Sequence, residues 1–292
     1  MQSFKRNFKW YSLGFLVIMT SAIWSAVLAD ANNHLKVSFL DVGQGDAIYI
    51  EAPNGHQMII DGGPPGSLLP ALSEVMSFSD RSIDVIVVTN PDQDHFAGFI
   101  DLLDSYEVGV VIESGTFNKS KIYGRLENLI TEKKIPKIIA RSGMKVDMGA
   151  GVHFDVLFPD RDVSSWNPND GSIIGQLIYG NTSIILTGDA TKKTESYSLS
   201  GSEASGSLGS LASNVLKVGH HGSRTSTGES FVSAVDPDYA VISSGADNTY
   251  GHPHQETLDT LNKFGIKILR TDQLGMIIFE SDGQKIELEN NI

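Results

Sequence analysis

Cysteine is absent from the 292 residues. That removes disulfide partners and thiolate ligands, so any metal must be held by His, Asp, Glu or Asn. An oxidising compartment suits such a chain. Positive charge is scarce as well: 22 Lys and Arg stand against 35 Asp and Glu, a formal net charge of −13, and no basic run follows Lys9. A protein that grips duplex DNA by its phosphates carries a basic patch, so this balance counts against tight duplex binding. Phosphodiester chemistry survives the argument, because a bound divalent cation presents positive charge locally. What the chain does have is 40% hydrophobic content and 29 glycines, which fits a globular α/β protein with many tight turns.

The N-terminus argues for export. Lys5, Arg6 and Lys9 precede an apolar run from Trp10 to Leu28, and Val27-Leu28-Ala29 puts small residues at a cleavage point. Residues 1–29 are expected to be a signal peptide or, if uncleaved, a membrane anchor, which places the domain at 30–292 outside the cytoplasm. Losing that segment takes three positive charges away and leaves the domain more acidic still.

The patterning then reads strand-rich. Leu35 to Asp41, Ala47 to Glu51 and Gln57 to Asp61 are expected to form one antiparallel edge of a sheet, with Pro53-Asn54-Gly55 as a hairpin turn. Helices near 67–76, 97–104 and 120–133 alternate with strands at 83–88, 108–112 and 137–140. Gly143 to Gly151 reads as a turn between halves, and the second half repeats the scheme. Ser198 to Ser213, almost wholly Ser, Gly, Ala, Leu and Glu, reads as a flexible loop or a frayed helix end without chemistry. Two sheet-bearing halves with helices outside predict an αββα sandwich with its site where loops from both halves meet.

The richest stretch is Thr89-Asn90-Pro91-Asp92-Gln93-Asp94-His95-Phe96-Ala97-Gly98, placed where an apolar strand ends. Asp92, Asp94 and His95 crowd three metal-capable groups into four residues, which is electrostatically wasteful unless a cation neutralises them. Taken alone, the stretch reads equally as an Asp-rich turn in which Asp94 caps the helix beginning near Phe96.

The segment resembles the His-x-Asp-x-Asp-His variant of the metallo-β-lactamase signature found in the soluble domain of ComEC-type DNA-uptake proteins. Leu40-Asp41-Val42-Gly43-Gln44-Gly45-Asp46, Ile60-Asp61-Gly62-Gly63, Leu186-Thr187-Gly188-Asp189, Lys217-Val218-Gly219-His220-His221-Gly222-Ser223 and Tyr250-Gly251-His252-Pro253-His254 resemble that subfamily's other blocks, in order. The resemblance implies an αββα fold and one or two divalent metals, zinc or manganese, beside which a water attacks the substrate. Asp189 matches the bridging aspartate, Asp94 and His95 match the ligands of one metal, and His220 or His221 completes it, with His220 preferred as the nearer to the strand. Asp92 keeps the second position of the signature, but Asn90 stands where the subfamily has its first histidine, which removes a nitrogen donor. That leaves a single-metal enzyme or a member without activity. Asn169-Asp170-Gly171-Ser172 resembles a block that lines this side, or is an Asx-turn. His252 and His254 are expected at the cleft, contacting a phosphate or protonating a leaving oxygen, with a helix-capping turn as the alternative for His254. Gly222-Ser223 amides are expected to bind a phosphate oxygen. Asp41, Gln44 and Asp46 are expected to orient ligands.

The expected function is that of an exported metal-dependent hydrolase, with Asp94, His252 and His254 at the chemistry and DNA or a nucleotide as substrate. The alternatives are hydrolysis of another ester or amide and a non-catalytic binding module.

Overall fold

The computed structural model describes residues 2–31, 34–205 and 210–289. Met1, four residues of the Ser/Gly-rich stretch (206–209) and the end of the expected domain (290–292) lie outside the described residues. The helix α1 (Gln2–Ala31) carries exposed apolar side chains from Phe8 to Trp24. Among the described residues no helix is long and apolar enough to cross a membrane.

The first half runs β1 (Leu35–Phe39), β2 (Ala47–Glu51), β3 (Gln57–Gly62), α2 (Leu68–Leu72), β4 (Ser82–Val88), α3 (Gln93–Phe96), α4 (Gly98–Ser105), β5 (Glu107–Glu113), α5 (Lys121–Glu132) and β6 (Lys137–Ile139). The second runs β7 (Lys145–Gly149), β8 (Val152–Phe158), β9 (Ile174–Tyr179), β10 (Thr182–Leu186), α6 (Lys192–Ser205), β11 (Val215–Lys217), α7 (Glu229–Val235), β12 (Tyr239–Ile242), α8 (Gln255–Lys263), β13 (Lys267–Arg270), α9 (Thr271–Leu274), β14 (Ile277–Ser281) and β15 (Ile286–Leu288).

Eight strands form one sheet in the order β15-β14-β1-β2-β3-β4-β5-β6, and seven form the other in the order β13-β12-β11-β10-β9-β8-β7. Alternation along the strands assigns each apolar residue to a layer. Ile48, Ile50, Val85 and Val87 meet Phe154, Leu177, Ile184 and Val241 between the sheets. Their neighbours Tyr49, Ile86 and Val88 pack outward on Phe96, Phe99 and Leu126. Across the second sheet Ile185, Leu216 and Ile242 pack on Phe231, Val232 and Leu261. The result is the expected αββα sandwich.

Two local expectations are corrected and a third is narrowed. The β1–β3 meander lies inside its sheet, because β14 comes back to pair antiparallel with β1 while β4 joins β3. Residues 143–151 hold β7, a charged edge strand that buries only Met148. Of the two readings of the Ser/Gly-rich stretch, the helix end holds for its first part: α6 runs through Ser205 and Ser198 is buried, while just before the stretch Tyr197 stacks on Phe158 with ring centroids 6.0 Å apart.

Candidate metal centre

Strand direction gathers the site. β3 and β4 run parallel, as do β10 and β11, so the loops after them emerge at one edge of each sheet. Ile173 N donates to Thr89 O (3.0 Å) across the two edges, and within the second edge His220 N donates to Gly188 O (3.1 Å). Gly188 has φ +50° and a Cβ there would lie 2.5 Å from Thr89 Oγ1, so only glycine lets the two halves approach.

His95 is fully buried in the one-turn α3. Its Nε2 lies 3.1 Å from Asp189 Oδ2. From the other half, His221 Nε2 lies 3.3 Å from Asp94 Oδ2 and 3.6 Å from Asp189 Oδ1. Both Nε2 atoms and Asp189 Oδ1 are buried yet make no hydrogen bond. Buried polar atoms are seldom left unpaired in native interiors, and here they converge: one ligand atom each from Asp94, His95 and His221 fits within 4.8 Å. Two nitrogens and two carboxylates in this arrangement fit a divalent metal.

The remaining ring nitrogens are fixed from behind. His95 Nδ1 lies 2.8 Å from Asp61 Oδ2, and the same carboxylate accepts Thr89 N (2.8 Å) and Thr89 Oγ1 (2.6 Å). Asp61 is therefore an acceptor throughout, so in the neutral ring the proton sits on Nδ1 and the Nε2 lone pair faces the centre. His221 Nδ1 lies 3.0 Å from Ser243 O, with the same consequence. His220 and His221 both have positive φ, 48° and 53°, a strained pair of the kind found at functional sites.

Charge follows geometry. Burial alone would raise Asp189, but His95 and His221 beside it hold its carboxyl well below the usual range. Asp46 is likewise held at about 2, against burial, by Lys217, His221 and His95. Burial works to lower His221, yet Asp189 and Asp46 raise it to about 10, and His95 is raised well above its ordinary value against burial by Asp189 and Asp61. Without a cation, the imidazoles are drawn toward holding the positive charge that the carboxylates demand.

The other side of Asp189 differs. His220 Nε2 lies 3.7 Å from Asp189 Oδ2 and 3.5 Å from Asn169 Nδ2, and its Nδ1 meets Thr225 Oγ1 at 3.3 Å. Among the described residues His220 reaches Asp189 but makes no ion-pair contact with Asp94; the member of the pair whose ligand atom groups with Asp94 and His95 is His221, against the preference for His220. Asp92, raised by burial, lines an open cleft of about 360 Å³ with His220, His252 and Tyr250, and Asp94, Asp189 and His221 border the same cleft from the closed side. His252, lowered to about 4 by burial and the nearby histidines, is stacked under exposed Tyr250. Among the described residues, a hollow of about 400 Å³ bordered by Met144, Gln176 and Ala212 holds no cluster of metal-ligating groups.

Asn90 does not reach into this space. Fully buried, it donates from Nδ2 to Ser172 Oγ (3.2 Å) and accepts Asp92 N at Oδ1 (2.8 Å), while Ser172 Oγ also accepts Asp189 N (3.3 Å). Its carboxamide ties the Asp92 loop to the Asp189 loop. Other expectations fall away. Asp92, not Asp94, is the N-cap of α3, and it makes no capping bond. His254 takes its alternative place, the N-cap of α8, without a side-chain capping bond; both its ring nitrogens meet Arg224 and it stands behind His252. Ser223 is buried with its amide bonded to His220 O, so it offers nothing to a phosphate. Asp41 is exposed and accepts Gly43 N in its own turn, and Asp170 bonds Thr191 and Lys193. Gln44 borders the cleft and accepts Gly245 N, and Asp46 is buried against the ligand histidines.

Two contributors were given no role in the sequence reading, Asp61 and Lys217, whereas Ser172 lies in the block expected to line this side. A signal existed for both. Asp61 and Lys217 are lone charges closing apolar strands, where a solvated role is implausible.

The profile of the Metallo-beta-lactamase superfamily matches residues 40–246. The chain belongs to the metallo-beta-lactamase superfamily. Within it the chain is similar to competence proteins: it is 31% identical to ComE operon protein 3 of Bacillus subtilis over 83% of this chain and 32% of that one. It is 29% identical to competence protein ComA of Neisseria gonorrhoeae over 85% of this chain and 32% of that one. The chain thus spans about a third of the length of these relatives. Among solved structures, the metallo-beta-lactamase fold protein YhfI of Bacillus subtilis superposes with a TM-score of 0.56 at 9% identity, covering 85% of this chain and all of that one. The fold family implies divalent metal binding.

Proposed function

We propose that the chain is an exported metal-dependent phosphodiesterase, acting on DNA or a nucleotide. The observation that carries the reading is the convergence of unpaired His95 Nε2, His221 Nε2 and Asp189 Oδ1 beside Asp94. Asp94, His95, Asp189 and His221 would hold the metal. When bound there, a divalent ion supplies Lewis acidity and a lowered water pKa. The chain's own groups do the rest. Asp61 and Ser243 O keep both imidazoles in the tautomer whose lone pair faces the centre. Asp189 stands between the closed side and the open cleft. His252, neutral at pH 7, offers an N–H toward a phosphate oxygen rather than an acidic proton. Similarity to competence proteins supports a nucleic-acid substrate, and the scarcity of basic residues favours short or single-stranded segments over gripped duplex.

Purified full-length protein should cleave linear DNA or bis(p-nitrophenyl) phosphate in manganese or zinc and lose that activity in EDTA. Metal binding without cleavage of either would favour a binding module, the reading that Asn90 in the first signature position supports. Lys5, Arg6 and Lys9 ahead of the apolar run support placement outside the cytoplasm. A C-terminal reporter that works only after export should be active; silence at good expression would contradict this.

A further inference from the structure

Lys217 closes β11 with its side chain wholly buried. Taking an ammonium out of water is costly, and the cost is offset only by fixed partners. Lys217 has two: its Nζ donates to Asp46 Oδ2 and to Gly188 O, the latter at 3.1 Å. Each leads to a ligand. Gly188 immediately precedes Asp189. Asp46 donates its backbone N to Asp94 O at 3.2 Å, and its carboxylate lies 3.4 Å from His221 Nδ1 and 3.9 Å from His95 Nδ1. Lys217 also stands four residues before His221, and its carbonyl accepts Thr187 Oγ1 at 2.8 Å.

The pair joins the two halves. Asp46 lies in the β1–β2 loop of the first sheet, and Lys217 ends a strand of the second. The approach is tight: a Cβ on Gly45 would lie 2.4 Å from Asp94 O, so the Asp46 loop rests directly on the ligand loop. No other cation touches Asp46 among the described residues; its remaining neighbours are the two ligand imidazoles.

We propose that Lys217 is a positioning residue for the metal centre: its ammonium, paired with Asp46, clamps the ligand loops of both sheets and sets the spacing of Asp94, His95, Asp189 and His221 before metal arrives. This rests on the reading that those four residues hold the metal. Metal binding to a pre-set site avoids the cost of ordering its loops, so losing the clamp weakens affinity without removing any ligand.

The test uses the full chain, Lys217→Met, Asp46→Asn and the double variant, titrated with cobalt and followed by its visible absorption. Each single variant should weaken cobalt binding by about 10- to 100-fold and alter the absorption bands. The double variant should be no weaker than the worse single, because either change already breaks the same pair. A merely structural lysine would lower the melting temperature and leave affinity and bands as in the wild type. That result in both single variants, or losses that multiply in the double, would overturn the proposal. Should Lys217→Met fail to fold, the near-isosteric Asp46→Asn decides alone by the same criterion. Failure of the wild type to bind cobalt would overturn the metal reading and this inference together, whereas tight binding by wild type and variants alike overturns only the clamp.

Discussion

On one side of Asp189 two imidazoles and a second carboxylate close in, with ring nitrogens fixed from behind by Asp61 and Ser243. On the other side His220, Asp92 and His252 border open space, and the position that the subfamily gives to histidine is held by an asparagine facing elsewhere. A metal position is more than a set of ligating residue types. The closed side brings three unpaired, buried atoms together on pre-oriented groups; of the three groups on the open side His252 alone has a buried unpaired nitrogen, while His220 already meets Asn169 and Thr225, so the first is expected to bind one ion firmly and the second to bind weakly or only with substrate present.

The largest effect should come from Asp189, which serves both sides. Asp189→Ala should reduce the divalent metal content from about one ion per chain to near none, measured by elemental analysis after dialysis. Full retention would show that Asp94, His95 and His221 suffice, and the contrast between the sides would lose its pivot.

Asn90→His sharpens the comparison from the other direction. If the histidine position were simply missing a donor, metal content should rise toward two. The hydrogen bonds to Ser172 and Asp92 predict otherwise: the content stays near one, and the melting temperature falls by an amount equivalent to about 1 to 3 kcal/mol as buried partners are left unpaired. A second tightly held ion would contradict this account of Asn90.

The smallest effect concerns a buried carboxylate without histidines. Burial first, then Glu127, push Glu113 up to about 7 in spite of Lys137, and its Oε1 has no partner. A carboxyl raised above its ordinary 4.5 contributes stability that is complete below 4.5 and lost as the pH climbs through about 7. Glu113→Gln cannot ionise, so its stability curve should be flatter between those values and lie above the wild type at pH 8 by about 1 to 3 kcal/mol. Urea unfolding across that range measures it; parallel curves would mean that Glu113 titrates normally.

Much of this was legible in the chain. The polar block after Ile83–Val88, the Thr-Gly-Asp after β10 and the His-His after β11 mark strand ends by composition alone, and the sandwich follows from alternating sheet and helix patterns. Sheet order was not legible: nothing local to residues 277–281 says that they will pair with 35–39, because that contact joins the ends of the domain. Nor does spacing separate adjacent histidines. Two consecutive left-handed residues turn His221 inward and His220 outward, a rotation set by the backbone between β11 and Ser223 and invisible in the letters. Lys217, a lone charge closing an apolar strand, hints at burial, but its partner Asp46 comes from the first sheet and is not legible until the two sheets pack.

The most direct measurement compares metal content in His221→Ala and His220→Ala, purified side by side with the wild type. The closed-side account predicts that His221→Ala loses its ion, since a nitrogen ligand with a fixed tautomer is gone, while His220→Ala keeps about one ion per chain. Loss in His220→Ala with retention in His221→Ala would place the metal on the open side and contradict the account.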